Sequence, residues 1–338
     1  MRTVERGAPS PTLVRVEDLE VHFPVRRSAF GPKSGVVRAV DGVSFQLRAG
    51  DVLGLAGESG SGKTTVARAM LRITDPTGGR VVMDSLDISK LGRAELKRFR
   101  RRMQMVYQDP YDSLNPRLKI GTTLEEALMV RGVRPSERTN GVRHLLERVG
   151  LSGAYALRYP HELSGGQRQR VSIARALGVE PSVIVCDEAV SSLDVSVRAQ
   201  ILNLLRDLQE TERLSLLFIS HDLSTLRFIA DRVAIMYLGQ VVEIGGREDL
   251  FDRPLHPYTL ALLAAVPEPV PRSQRRPVAR LTGEVPSALQ PPGGCRFHPR
   301  CPIAEDICRE VVPELRRKAA GHLAACHLVP DAPPIGVP

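Results

Sequence analysis

An α/β fold with a parallel sheet buried on both faces is predicted by three stretches of this sequence. Asp51 to Ala56 is an apolar, strand-like run followed by Gly57-Glu58-Ser59-Gly60-Ser61-Gly62-Lys63-Thr64 and then by a helix-like run from Thr64 to Arg72. Ser182 to Cys186 is a continuous apolar run, as expected of a strand covered on both faces, and it ends at Asp187-Glu188. Leu214 to Ser220 reads as a second buried strand and ends at His221-Asp222. In open parallel sheets ligands bind beyond the carboxyl ends of the strands, so all three stretches deliver polar groups to one edge.

The glycine loop is a P-loop in its expected setting. Its glycines let the backbone curl so that successive N–H groups point at phosphate oxygens, and the next helix presents its positive end to the same anion. Lys63 would reach the β- and γ-phosphates, and the Thr64 hydroxyl would ligate Mg²⁺. A chance glycine-rich turn is the alternative. It leaves unexplained why every fixed glycine and lysine position is filled between a strand and a helix.

At 338 residues the chain can build a large core and a second small domain. Its 42% hydrophobic and 25% charged residues are ordinary for a soluble globular protein. Aromatics are 4% and tryptophan is absent, which argues against stacking platforms for bare bases. The net charge of +9 is compatible with nucleic acid or an anionic membrane face and does not choose between them. No stretch approaches the roughly 20 apolar residues of a membrane helix, and Met1 to Pro11 lacks the apolar core of a signal peptide, so a cytoplasmic protein is expected.

In chain order, residues 1 to 12 are polar and expected to be mobile. Leu13 to Phe23 alternates apolar and polar residues, the pattern of a half-buried strand, and a basic loop, Pro24 to Gly35, follows. Val36 to Leu47 reads as a strand pair with a turn near Asp41-Gly42. Phe23 could stack on an adenine ring or be a simple edge-of-core aromatic. Past the P-loop helix, Arg80 to Leu86 is strand-like and Arg93 to Arg102 is a basic helix whose charges read as a solvated face. Met103 to Tyr107 is a short strand leading into Gln108. The segment from Asp109 to Gly178 is mostly helical, with breaks at Pro110, Pro116, Pro135 and Pro160.

Leu163-Ser164-Gly165-Gly166-Gln167 precedes a helix over Val171 to Leu177, with Ser164 and the glycines where a cap would sit: a second anion-binding helix end. Alone, S-G-G is a weak signal. Asp187 and Glu188 suggest a division of labour in which Asp187 holds Mg²⁺ and Glu188 orients the attacking water; without a P-loop they would read as solvated strand-end acids. Cys186 reads as a small core residue. Ser192-Leu193-Asp194 opens an amphipathic helix from about Val197 to Thr211. His221, leaving a parallel strand at the same edge as Asp187 and the P-loop, is placed to contact a γ-phosphate.

With these motifs in order, the sequence resembles the nucleotide-binding subunit of an ATP-binding-cassette (ABC) transporter over roughly residues 13 to 265. The matches are the P-loop at Gly57 to Thr64, a Q-loop glutamine at Gln108, the signature Leu163 to Gln167, and Walker B at Val183 to Glu188. The D-loop Ser192 to Asp194 and the switch histidine His221 complete them. The resemblance implies a RecA-like α/β core with an antiparallel β subdomain and a helical subdomain at about 109–178. It also implies a head-to-tail dimer, in which ATP on one P-loop is capped by Ser164, Gly165, Gly166 and Gln167 of the other chain. By the same resemblance Phe23 is the adenine-stacking aromatic, Ser59, Gly60, Ser61, Gly62 and Thr65 join the phosphate cradle, and Lys63 is the phosphate clamp. Thr64, Gln108 and Asp187 form the Mg²⁺ environment, Glu188 is the general base, His221 the γ-phosphate sensor, and Asp194 belongs to the nucleotide site. The Gln108 region is where such proteins feel the membrane subunit. Ala189 stands where many members carry proline.

The implied domains are a mobile 1–12, a nucleotide-binding domain at 13–250, a segment and proline-rich linker at 251–290, and a small Cys-containing C-terminal domain at 291–338. His256-Pro257-Tyr258, Tyr107 to Pro110 and Ser113 to Pro116 resemble the oligopeptide, dipeptide and nickel importer branch. Phe23 to Arg27 and Val40 to Phe45 look most like the second of its two ATPase subunits. The resemblance implies a paralogous ATPase partner, two transmembrane permease subunits and an extracytoplasmic solute-binding protein, at the cytoplasmic face of the cell membrane. Cys295, Cys301, Cys308 and Cys326 lack the tight pairs of zinc modules, and disulfides are not expected in a reducing compartment. Four thiolates can ligate a [4Fe-4S] cluster, with which similar tails are associated; zinc, helped by His298, His322 or His327, and unmetallated thiols stay open. Such a cluster, far from the P-loop in sequence, would brace the tail or sense redox state rather than touch ATP. Peptide import is the leading reading, a nickel importer its variant. A nucleic-acid-associated ABC ATPase is the competitor from another class, disfavoured because such chains usually carry two cassettes or long coiled-coil insertions; an exporter ATPase is disfavoured by the H-P-Y segment and the cysteine tail.

Overall fold

The computed structural model describes residues 11–26, 33–109, 113–265 and 283–331. Two compact units emerge, neither continuous in sequence: one gathers the described residues of 1–15, 46–52 and 82–219, the other those of 16–45, 53–81 and 220–338.

In the first unit three strands, β6 (Met103–Val106), β7 (Val183–Asp187) and β8 (Ser215–Ile219), pair in parallel, with Val106 opposite Cys186 and Asp187 opposite Ile219. Every residue of β7 and β8 is buried, which is why these segments read as unbroken apolar runs. Cys186 is a core residue as expected, its thiol pushed up to about 12 by burial and the neighbouring Asp187. The helices of this unit are α2 (Arg93–Arg102), α3 (Ile120–Arg131), α4 (Pro135–Arg148), α5 (Gly165–Leu177) and α6 (Val195–Glu212). α2 keeps its predicted limits and buries Phe99 while its arginines face outward.

Two of the expected helix breaks are starts. Pro135 is the first residue of α4 and Pro160 opens a short 3₁₀ turn, because proline's fixed φ and missing N–H suit the first turn. Pro116 lies in a turn, and Pro110 falls outside the described residues. Helices α5 and α6 begin earlier than periodicity suggested because each has a side-chain cap. Ser164 Oγ accepts from Gln167 N (3.3 Å), Gln167 Oε1 accepts from Ser164 N (3.0 Å), and Asp194 Oδ1 accepts from Val197 N (2.9 Å). The expected strand from Arg80 to Leu86 is a hairpin instead. β4 (Gly78–Met83) and β5 (Leu86–Asp87) pair antiparallel across Asp84 and Ser85, both at positive φ (47° and 68°), a turn chemistry that the sequence signals only weakly.

In the second unit β1 (Thr12–Arg26) and β2 (Lys33–Arg48) run side by side over their central parts, where Asp18 N donates to Ser44 Oγ at 2.8 Å. The turn expected near Asp41-Gly42 does not form. Gly42, at φ +76°, bends the strand without reversing it, and Asp41 N donates to Gly239 O at 2.9 Å. β3 (Val52–Ala56) pairs in parallel with β9 (Arg232–Tyr237), which turns at Leu238-Gly239 into the antiparallel β10 (Gln240–Gly246). Helices α1 (Lys63–Met70), α7 (Leu223–Ile229), α8 (Arg247–Asp252), α9 (Pro257–Ala264) and α10 (Ile307–Glu310) belong here.

The cysteine-containing tail continues this ladder. β12 (His322–Ala324) pairs antiparallel with β10, and β11 (Arg316–Ala319) with β12. Strands of three and four residues cannot bury a core of their own, so they use the existing sheet. The join is centred on Glu243 of β10, fully buried, whose carboxylate accepts from Leu255 N (2.8 Å) and His256 N (2.9 Å) and lies 2.7 Å from His322 Nε2. The H-P-Y stretch thereby acquires a physical meaning. His256 Nδ1 accepts from Tyr258 N (3.1 Å) and caps α9, Pro257 is its first residue, and Tyr258 is fully buried. Burial pushes the His256 pKa down to about 4, so its imidazole is neutral at physiological pH and free to accept. Glu243→Ala strands two N–H groups and an imidazole inside the fold; it is expected to cost about 3 kcal/mol and to expose residues 253–265 and 283–331 to protease, measured by urea denaturation and limited proteolysis.

Candidate nucleotide site

In the second unit the chain leaves β3 through Gly57, whose φ is +149° and where a Cβ would lie 2.2 Å from Met236 O. It enters α1 through Gly62, at φ +105°, where a Cβ would lie 2.2 Å from Ala39 O. These two positions accept glycine alone, on both conformation and space. The Lys63 side chain folds back along the loop, its Nζ donating to Gly57 O (2.8 Å), Glu58 O (2.9 Å) and Ser61 Oγ (3.3 Å). Ser59 and Gly60 are exposed at the tip, while Thr64 and Thr65 occupy the first turn of α1. Ser220 N donates to Leu55 O at 3.2 Å, which puts the exposed His221 beside the end of β3 from which the P-loop leaves. Phe23, 42% exposed, lies near the end of β1. Together these features give a glycine-bent loop, a buried cation and a helix N-terminus, an arrangement suited to polyphosphate.

The first unit carries the other predicted residues. The parallel register of β6 and β7 puts Gln108 and Asp187 at one sheet edge, Gln108 exposed and Asp187 buried. Glu188 follows at φ +49°, an uncommon conformation for a residue with a side chain, fixed by Glu188 N donating to Ile219 O (3.1 Å) and by Ser191 N and Oγ donating to Glu188 O (3.1 and 3.0 Å). Asp194 is drawn into capping α6, and its hydrogen bonds from Val197 N and Ser196 hold its pKa below the usual carboxylate range. The signature lies against this segment, with a Cβ on Gly165 3.6 Å from Leu193 and one on Gly166 only 2.3 Å from Val197 Cγ1. The helix N-terminus at Ser164–Gln167 and the D-loop thus form one surface.

The tail holds a surprise for a sequence reading that set it far from the P-loop. Tyr258 Oη accepts from Glu58 N at 3.0 Å, and Arg300 pairs with the Glu58 carboxylate. Sequence reasoning missed Glu58, Tyr258 and Arg300 as site residues, and only the H-P-Y resemblance pointed near them. Cys295, Cys301, Cys308 and Cys326 line one small cavity with His298 and His327, all four as free thiols. Yet among the described residues no group of three or more His, Cys, Asp or Glu is arranged to hold a metal ion. The metal centre expected there is not supported. Burial and the neighbouring cysteines push Cys295 up to about 11, and burial raises Cys301 likewise.

A P-loop on a parallel sheet, a strand-end carboxylate pair and a separate capped signature helix define a P-loop ATPase of the ATP-binding-cassette class. The family described as ABC transporter matches residues 40–191, and the Oligopeptide/dipeptide transporter, C-terminal region, matches residues 242–308. The chain is similar to "Probable peptide ABC transporter ATP-binding protein y4tS" of Sinorhizobium fredii, at 52% identity over 94% of this chain and 90% of that one. It is also similar to the oligopeptide transport ATP-binding protein AppF of Bacillus subtilis, at 49% over 95% and 99%. Among solved structures, the dimeric post-hydrolysis ATP-binding cassette MJ0796 bound to ADP and Pi superposes with a TM-score of 0.61 at 26% identity, over 70% of this chain and 99% of that one. CbiO1 from Clostridium perfringens, part of the ABC transporter complex cbiONQ, gives 0.63 at 25%, over 72% and 92%. The chain belongs to the ABC transporter ATP-binding family, in the branch that carries the oligopeptide/dipeptide C-terminal region.

Proposed function

We propose that this chain binds and hydrolyses ATP to power the import of peptides through a membrane ABC transporter, working at the cytoplasmic face with a second ATP-binding subunit, two permease subunits and a solute-binding protein. The observation that carries the reading is that one unit of the chain holds a glycine-only P-loop and the other a Ser164-capped helix N-terminus. One chain has one of each, so two chains complete two sites. Among the described residues no helix is long and apolar enough to cross a membrane, which leaves translocation to other subunits. Thr64, Gln108 and Asp187 supply oxygen donors of the type Mg²⁺ takes, and the ion would neutralise charge on the β- and γ-phosphates. Phe23 stacks the adenine, Lys63 clamps the phosphates, Glu188 acts as general base on water and His221 senses the γ-phosphate. Ser164, Gly165, Gly166 and Gln167 close on the partner's nucleotide. Thiolates are the soft donors that a [4Fe-4S] cluster or zinc takes, and metal analysis of anaerobically purified protein decides between a cluster, zinc and bare thiols in the tail.

The test is phosphate release in vesicles. Peptide-loaded binding protein is expected to raise turnover only when both permeases are present. Stimulation by nucleic acid with a steep salt dependence contradicts the transport reading.

A further inference from the structure

We infer that Arg300 of the cysteine tail is a positioning residue for the nucleotide: it neutralises Glu58 and fixes the P-loop in the shape that receives the phosphates. This rests on the ATPase reading above. Glu58 occupies a position in the loop whose side chain is free to vary in the P-loop pattern, and here it is held at three points. Its N–H donates to Tyr258 Oη (3.0 Å), its carbonyl accepts from Lys63 Nζ (2.9 Å), and its carboxylate receives a two-pronged grip from Arg300, Nη1 to Oε2 at 2.8 Å and Nη2 to Oε1 at 3.1 Å. Arg300 Nη1 also donates to Tyr237 Oη at 3.3 Å. The arginine side chain is 5% exposed, against 28% for Glu58.

Two physical consequences follow. A carboxylate in a loop that cradles a polyanion repels it, and a bidentate guanidinium cancels that charge while fixing the side chain. The grip is also rigid. Tyr237, Tyr258 and Phe297 pack ring on ring, with centroids 4.7 to 5.4 Å apart, and Arg300 is the last residue of the 3₁₀ turn that Phe297 precedes. A second tail arginine, Arg296, reaches Asp41 and Leu238 O beside the same loop of the unit, so the tail is anchored on both sides of Phe297. The pair Arg300 and Glu58 is separated by 242 residues, and Arg300 sits between Cys295 and Cys301. The fold of the thiol-rich tail therefore sets the geometry of the phosphate cradle.

The test is equilibrium titration of the full chain with fluorescent ATP and fluorescent AMP. Arg300→Gln is expected to weaken ATP about tenfold and AMP little, because the repulsion grows with phosphate charge. Arg300→Lys keeps part of the affinity, and Glu58→Gln added to Arg300→Gln restores most of it. Tyr258→Phe, which removes one acceptor and little volume, is expected to weaken ATP about fivefold. Equal loss for ATP and AMP, or no recovery in the double variant, reduces Arg300 to a structural role and overturns the inference. So does unchanged ATP affinity in both Arg300→Gln and Tyr258→Phe; if Arg300→Gln does not fold, the Tyr258→Phe and Arg300→Lys titrations decide alone. Failure of the unaltered chain to bind fluorescent ATP sinks the ATPase reading instead.

Discussion

Replacing Lys63 by alanine is expected to lower ATP affinity by about 10² or more while leaving the chain folded, since the change removes the buried cation of the phosphate loop. The Lys63 ammonium donates to Gly57 O, Glu58 O and Ser61 Oγ, acceptors of the loop itself. Without it those oxygens remain as uncompensated negative ends where a polyanion must sit. Lys63→Arg is not a conservative rescue. The side chain is buried, and a planar guanidinium lacks the space and the point-charge geometry of an ammonium. Titration with ATP and with ADP checks this, and melting curves confirm that the fold persists.

Glu188→Gln is expected to slow hydrolysis about 10²- to 10⁴-fold while ATP binding stays near its original strength, the signature of a lost general base. The residue stands at φ +49° just past β7, with its N–H and carbonyl both engaged. Glutamine has the same size and backbone tolerance, so the change removes basicity and not shape. A single-turnover measurement of phosphate release, beside an ATP-trapping assay, separates the two effects. A variant that loses binding as well assigns Glu188 to the fold.

The parts of the fold legible in the sequence are those built from local signals. β3, β7 and β8 announce themselves by unbroken apolar runs, and the P-loop by fixed glycines whose spacing the backbone demands. The hairpin of β9 and β10 escaped because its turn is Leu238-Gly239, with a leucine at φ +42° in place of the usual Asn or Asp. The cap at Ser164 was readable although periodicity placed the body of α5 from Val171 on, while Asp194, read as part of the D-loop, also caps α6. Nothing local could reveal that Glu243 meets His322 or that Glu58 meets Arg300. Glu243 meets His322 through the pairing of β10 with β12, and Glu58 meets Arg300 through the packing of the tail, contacts 79 and 242 residues apart that composition does not encode. The candidate site residues follow the same division: their order was readable, while the fixation of the P-loop by the tail was not.

Ser164 and Gly166 are proposed to serve the nucleotide of another chain and not their own. Phosphate release by the purified chain at monomeric concentration, with Ser164→Ala and Gly166→Ala, set beside the same variant assembled with its partner subunits, tests it most directly. The account predicts ATP binding retained by the monomer, negligible turnover from it, and a loss of turnover in the assembly. A monomer that hydrolyses ATP at full rate with both residues replaced contradicts it.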